Sequence, residues 1–341
     1  MTIETFIAVF LALGISAFLT QRFCSPVSWP HILDHPNERS LHTRPTPRSG
    51  GVAIVIGILV GMTLWMALAG VPRTLGWLGA CALMVAGMSF LDDMKGMSVG
   101  SRFVGHLVTS GMLLASGLGL VTLEMTGLVW EWPAWLGVTF SLLYLIWMIN
   151  LYNFMDGMDG FAAGMAVIGF GTFALLGYLA NNPDFVTLNL MIVAAVAGFL
   201  WFNFPPARIF MGDTGSSLLG LLAGGLSIWG AREGVFPFWV ALLVFSPFIV
   251  DATVTLVRRL FRGERVWQAH KSHYYQRLVQ LGWGHRKTVL AEYVLMLACA
   301  GSAVWAVTGS TSVQFAILGF WIFAYALLMG LVHALERLTG C

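Results

Sequence analysis

The stretch SLLYLIWMINLYNFMDGMDGFAAGMAVIGF, Ser141–Phe170, decides how the chain is to be read. An apolar run gives way to a knot of two Asn and two Asp, and a second apolar run follows, with no basic residue anywhere in it. A membrane-spanning helix needs about 20 apolar residues to cross roughly 30 Å of hydrocarbon. A charge held near the bilayer centre costs several kcal/mol on some scales. The stretch therefore reads as two membrane helices joined by a polar connection. The question it raises is what neutralises Asp156 and Asp159.

The rest of the chain agrees. Of 341 residues, 58% are hydrophobic and only 10% charged, where a soluble domain carries about a quarter; mean hydropathy is +0.80. Gly, Trp and Phe are abundant, as in helices packed closely within a bilayer. A net charge of +2 lends nucleic-acid binding no support. Cys24, Cys81, Cys299 and Cys341 form no CxxC pair, so neither a metal knuckle nor a disulfide framework is expected. The N-terminal run lacks the basic region and cleavage site of a secretory signal and reads as a retained span.

Apolar runs at 3–20, 50–70, 74–91, 102–122, 134–151, 161–180, 186–203, 214–231, 236–257, 288–308 and 313–334 predict about ten or eleven transmembrane helices. The expected fold is an all-α polytopic integral membrane protein, one catalytic domain over 1–341, without strand-like alternation. All but two of the 18 Lys and Arg, the exceptions being Arg73 and Arg232, fall in one alternate set of connections. By the positive-inside rule that set is cytoplasmic. It comprises loops near 21–49, 92–101, 152–160, 204–213 and 258–287, with the N-terminus periplasmic and the C-terminus cytoplasmic. Asp92, Asp93, Asp156, Asp159 and Asp213 all gather on that face, although loop acids contribute little to orientation.

Five stretches carry chemistry. FLDD, Phe90–Asp93, ends a span; a carboxylate pair there is a poor cap, because helix C-termini disfavour anions. Adjacent helical residues point about 100° apart, so one Asp could face a metal and the other a second reactant; a plain membrane boundary is the alternative. Asn150, Asn153, Asp156 and Asp159 recur every three residues, which would smear round a continuous helix. The helix is therefore expected to end near Asp156, with Gly157 and Gly160 folding the acids toward one pocket. NFPPARIFMGDTGSS, Asn203–Ser217, stops one helix at its prolines and starts another with Asp213. That start reads either as a capped helix or as a phosphate cradle, with Phe210 placed to stack on a base. HPNERSLHTRPTPRSGG, His35–Gly51, and HKSHYYQRL, His270–Leu278, supply cations suited to phosphate oxygens. Arg258, Arg259 and Arg262 read more simply as contacts to anionic lipid heads. Asp251 reads equally as a structural partner or a site residue and is left outside the site.

Close carboxylates repel unless a cation lies among them. Magnesium is usually held by one or two carboxylates while phosphate oxygens and water complete its shell. The pattern thus points to phosphoryl-type transfer at the boundary between cytosol and lipid, with one soluble and one lipid substrate.

FLDD, NLYNFMDGMDG, FNFPPARIFMGDTGSS and the HxxH loop, in this order, resemble the polyprenyl-phosphate N-acetylhexosamine-1-phosphate transferases, over most of residues 35 to 278. The resemblance implies transfer of an N-acetylaminosugar-1-phosphate from a UDP-sugar to undecaprenyl phosphate, releasing UMP, in the bacterial inner membrane. It implies magnesium, or manganese in its place, on Asn153 and Asp213, and Asp92 with Asp93 as the catalytic pair. It assigns Asn150, Asp156 and Asp159 to the donor pocket and Phe210 to the uracil. Arg44, Arg102, His270 and His273 fall at substrate-contacting positions. HKSH stands where the peptidoglycan pentapeptide transferase of this family has consecutive histidines. The pattern therefore leans toward O-antigen initiators using N-acetylglucosamine or N-acetylfucosamine donors, with the pentapeptide enzyme or an ion-coupled transporter as alternatives. A homodimer stays open. A phosphate monoester is largely dianionic at neutral pH, so a general base gains little and direct displacement is expected.

Overall fold

The computed structural model describes residues 2–25, 27–30, 32–36, 41, 44–69, 73–265 and 270–339. Arg39, Cys341 and parts of both basic loops lie outside them. Helices make up most of the described chain. They are α1 Ile3–Phe23, α2 Gly50–Ala69, α3 Arg73–Lys95, α4 Val99–Ala115, α5 Ala134–Met155, α6 Phe161–Leu179, α7 Pro183–Asn203 and α8 Gly212–Arg232, then α9 Phe238–Val244, α10 Ser246–Phe261, α11 Tyr274–Leu278, α12 Gly284–Thr308 and α13 Thr311–Thr339. Every predicted span falls on helix. Among the described residues eight helices are long and apolar enough to cross a membrane unaided, nine if the bent α9–α10 pair counts as one. The eleven-span expectation is thereby narrowed. At Ala115, α4 ends short of the predicted 122 after only 17 residues, and α8 is rich in Gly and Ser and does not pass the same test.

Where α4 stops, the chain runs through a turn over 116–121 into a hairpin: β3 Thr122–Met125 pairs antiparallel with β4 Leu128–Glu131. Thr126 and Gly127 both have positive φ, 49° and 83°, the geometry of a tight hairpin turn. A two-residue pairing of Leu33–Asp34 (β1) with Thr46–Pro47 (β2) braces the first basic loop. Strand pairing was not expected; these strands are too short for alternation to stand out from the apolar background. The predicted single span over 236–257 is also broken, for α10 leaves α9 at 80° where Pro247 opens the new helix.

At the centre is α8, buried along its whole run from Thr214 to Gly230. Its composition explains why. A Cβ on Gly220 would lie 2.5 Å from the Met148 carbonyl oxygen of α5, and one on Gly230 would meet Phe236 at 2.4 Å. Small residues let backbones approach where lipid provides no hydrophobic drive. The same device seats α1 on α2 and α7: Cβ atoms on Gly57 and Gly198 would each lie 2.8 Å from an α1 carbonyl, and Ser16 donates to the Ala195 carbonyl at 2.6 Å. Large apolar side chains such as Phe10, Trp201 and Phe323 point outward, as lipid-facing residues do.

Gly220→Val should therefore force α5 and α8 apart. Overpacking of this kind costs roughly 1–3 kcal/mol, read as a lower melting temperature of the detergent-solubilised protein, whereas Gly171→Val, where a Cβ meets nothing within 4 Å, should leave it nearly unchanged.

Candidate active site

At one end of the bundle the last turns of α3 and α5 meet the first turn of α8. Asp93, almost fully buried, accepts from the backbone N–H of Asp213 at 3.1 Å and of Thr214 at 2.9 Å, and from the Thr214 hydroxyl at 2.7 Å. It therefore caps α8 from another helix, satisfying donors that no residue of α8 itself reaches and placing an anion at a helix N-terminus. Arg48 donates to the Asp93 carbonyl at 2.6 Å and lies 3.8 Å from its carboxylate.

This junction is tight. Gly212 has φ of +71°, and a Cβ there would lie 2.6 Å from the Arg48 carbonyl and 2.9 Å from Asp93 Oδ2. The start of α2 docks on the same strip through Gly50 N–H to the Phe210 carbonyl (3.0 Å), Gly51 N–H to Met211 (2.8 Å) and Phe210 N–H to Pro47 (2.7 Å). Glycines at 50, 51 and 212 leave room for these contacts.

Asp92 points the other way. Its carboxylate accepts from the Met97 N–H and from Arg102 Nη1 at 3.3 Å. The same Arg102 nitrogen stands 3.6 Å from Asp213, so a single guanidinium from α4 bridges the ends of α3 and α8. Asn153 holds Asp213 and donates to Ser216 at 3.1 Å. Asp156 follows the last residue of α5 as its C-cap, and no hydrogen-bond donor reaches its carboxylate among the described residues. Burial, then the fields of Asp213, Asp93 and Asp159, push it well above the ordinary carboxylate range. Among the described residues no three His, Cys, Asp or Glu side chains converge to cage a metal alone. An uncompensated Asp156 beside Asp213 fits a cation that draws its remaining ligands from phosphate and water.

Asp92, Arg102, Asn150, Asn153 and Asp213 line the polar end of a 510 Å³ cavity whose other walls are Phe103, Leu143, Trp147 and Leu256. His106 on α4, which sequence reasoning missed, joins this wall with its Nδ1 3.3 Å from the Asn150 amide. Asp159 is turned elsewhere: it accepts from Ala207 N–H at 2.9 Å and lies 3.0 Å from His285 Nδ1. It thereby ties the Pro205–Pro206 loop to α12. His285 gave no signal in sequence, being far from every motif.

The HKSH loop reaches the site through Asp251. That carboxylate accepts from Tyr274 N–H (3.0 Å), Tyr275 N–H (3.2 Å) and Thr255 (3.0 Å), and stands 3.2 Å from His273 Nδ1. It acts as the buried brace of α11. A Cβ on Gly157 would lie 2.3 Å from the Tyr275 hydroxyl, so α11 packs directly on the Asp156 turn. His270 stacks 4.8 Å from His273 and is held down to about 4 by burial, then by His273 and Arg259.

In the first basic loop Arg44 is exposed, with its carbonyl taken by Thr46; the cation of this loop that reaches the acids is Arg48. The bracket formed by Pro47, Gly50 and Gly51 on the Phe210–Met211 strip brings Arg48, not Arg44, against α3.

Asp93→Ala should destabilise the protein by roughly 3 kcal/mol, since the Asp213 and Thr214 N–H groups and the Thr214 hydroxyl lose their acceptor and Arg48 loses its ion pair. Asp92→Ala, whose partner Arg102 is 38% exposed, should cost about 1 kcal/mol or less. Melting temperatures in the same detergent test this, and an equal or smaller loss at Asp93 would contradict the capping role.

Residues 75–231 match the sequence pattern of glycosyl transferase family 4. The chain is 32% identical over 275 residues to the probable undecaprenyl-phosphate N-acetylglucosaminyl 1-phosphate transferase of Bacillus subtilis, covering 80% of this chain and 76% of that protein. It is 31% identical over 300 residues to the decaprenyl-phosphate N-acetylglucosaminephosphotransferase of Mycobacterium tuberculosis strain H37Rv, covering 76% and 72%. It is 30% identical over 276 residues to the phospho-N-acetylmuramoyl-pentapeptide-transferase of Geobacillus kaustophilus, covering 75% and 82%.

Proposed function

Because the chain belongs to glycosyl transferase family 4, the polyprenyl-phosphate N-acetylhexosamine-1-phosphate transferases, we propose that it moves an N-acetylaminosugar-1-phosphate from a UDP-sugar onto undecaprenyl phosphate. A phosphate oxygen of the lipid attacks the sugar-bearing phosphorus, the bond to the uridylyl oxygen breaks, and UMP leaves. The observation that carries this is the meeting of Asp92 and Asp213 on Arg102, at the polar end of a cavity whose other walls are largely apolar, with Asp156 close behind Asp213. A prenyl chain suits the apolar wall and its phosphate suits Arg102. The relatives' names support N-acetylglucosamine as the donor sugar; N-acetylfucosamine and a role in O-antigen initiation remain part of the reading through the HKSH pattern. The basic connections, sorted by the positive-inside rule, support a cytoplasmic site in the inner membrane.

Within this reading Asp213 and Asn153 hold magnesium, with Asp156 beside them. The ion supplies charge neutralisation for the two phosphate groups. Asp92 and Arg102 orient the acceptor phosphate, and α11 brings His273 and His270 to the diphosphate. The acceptor needs no base, and the engagement of Asp93 by the start of α8 and of Asp92 by Met97 and Arg102 supports direct displacement. Catalysis then rests on positioning and electrostatic stabilisation.

Purified protein supplied with undecaprenyl phosphate and a panel of UDP-sugars should release UMP only with a divalent cation present. Arg102→Gln should lower kcat/KM by about 100-fold, in line with loss of a preorganised charge at a reacting phosphate. UMP release without lipid acceptor, or a trapped phosphorylated Asp92 or Asp93, would refute transfer by direct displacement.

Asp156 also sets a pH dependence. Its folded-state value is raised, so over the window from the ordinary carboxylate range upward the folded protein holds a proton that the unfolded chain has lost. Its contribution to stability therefore falls as pH rises through that window, unless a cation takes the proton's place. Stabilisation of the protein by magnesium should grow with pH, and Asp156→Asn should flatten that growth. An identical pH profile in the variant would remove Asp156 from the cation site.

A further inference from the structure

We propose that a cationic cleft at the back of α11, together with the neighbouring apolar groove between α12 and α13, binds an anionic glycerophospholipid at a site separate from the acceptor cavity. The cleft, 280 Å³, is lined by Arg258, Arg259 and Arg262 from the end of α10, by Lys271 and Arg277, and by Glu336 of α13. Arg277 forks onto Glu336, and Glu264 pairs with Arg259 at 2.8 Å and lies 4.0 Å from Arg262. Five cations thus face two carboxylates. No carboxylate lies within ion-pair distance of Arg258 or Lys271 among the described residues. Arg258 rests on Tyr274, donating to its hydroxyl at 3.0 Å with the guanidinium 5.5 Å from the ring centroid.

The second half of the site is mainly apolar, with Asp251 and Glu292 the acids in its lining. A groove of 740 Å³ runs along Val294, Leu295 and Ala298 of α12 and Ala324 and Leu328 of α13. Among its described residues α13 buries only Ile317, Trp321 and Val332, so the groove lies open to the bilayer. Tyr274 stands between the two halves: it lines the groove, and Arg258 and Arg277 of the cleft lie over its ring at 5.5 and 4.6 Å. Fixed positive charge at headgroup depth, leading into an open apolar channel, matches a phosphodiester head with fatty-acyl tails. The lining includes none of Asp92, Arg102 or Asp213, the groups facing the acceptor cavity. A lipid head held here would press on the same short helix whose Tyr274 and Tyr275 N–H groups Asp251 secures from the other side, steadying His273. That catalytic consequence rests on the function proposed above; the binding does not.

The full-length protein is reconstituted in discs of phosphatidylcholine containing a minor fraction of phosphatidylglycerol, and lipids retained after detergent extraction are counted by native mass spectrometry. Phosphatidylglycerol should be retained in preference to phosphatidylcholine. The R258Q/K271Q protein should lose at least about tenfold of that preference, while R22Q/K95Q, which removes the same charge elsewhere, should keep it. Ala298→Trp, filling the groove with the cleft intact, should also lose it. Melting temperatures of all variants, with unchanged values expected, separate lost binding from lost folding. Equal retention by R258Q/K271Q and the parent, equal retention of phosphatidylcholine, or displacement by inorganic phosphate or undecaprenyl phosphate would overturn the proposal. Since no sugar transfer is read, failure here leaves the proposed activity standing, and failure of the activity leaves this site standing.

Discussion

The arrangement depends on Asp93 capping the start of α8 across the helix boundary. An N-terminus buried in a membrane bundle leaves N–H groups that neither water nor lipid can satisfy. The chain supplies the acceptor from α3, at 2.9 Å to Thr214 N–H. Because the cap comes from another helix, satisfying α8 also fixes the distance between α3 and α8. Asp92, the next residue back along α3, is then carried to Arg102, and Arg102 to Asp213. Side chains separated by 120 residues become neighbours because a polar backbone end had to be paired.

The same economy recurs around the site. Gly160, in the left-handed region at φ 72°, gives its N–H to Asn203 at 2.9 Å and its carbonyl to Tyr293 at 2.6 Å. Asn203 in turn donates to the Ile209 carbonyl at 2.9 Å. The turn carrying Asp156 and Asp159 is thereby stitched to the Pro205–Pro206 loop and to α12 with buried polar groups paired, as a low-dielectric setting demands. Asp251 does for α11 what Asp93 does for α8. Among the described residues the Asp156 carboxylate has no such donor, and burial with neighbouring acids pushes it well above the ordinary carboxylate range.

Much of this was legible in the residue order. Apolar runs located the helices, and the sorting of Lys and Arg and the spacing of Asn150 to Asp159 pointed to one polar end with a helix stop near Asp156. Hydrophobicity and proline act over a few residues, so they can be read locally. The hairpin at 122–131, the break between α9 and α10 and the short α4 were not, since glycines and a proline cut short runs whose composition alone would have continued.

The division of labour within the site was likewise invisible in one dimension. FLDD reads as two acids facing different ways, yet only the packing shows that Asp93 turns into a buried cap and Asp92 to the cavity. Arg44 and Arg48 read alike, yet only Arg48 lies where the α2 start docks on the Phe210–Met211 strip. Residue types and spacing by themselves determined the membrane fold, the family and the set of acids, because those follow from solvation and local geometry. Which acid faces a substrate, which serves a backbone, and which distant His106, His285 or Asp251 joins them was decided only by tertiary packing, because directions and distances between helices are set by contacts that no local stretch contains.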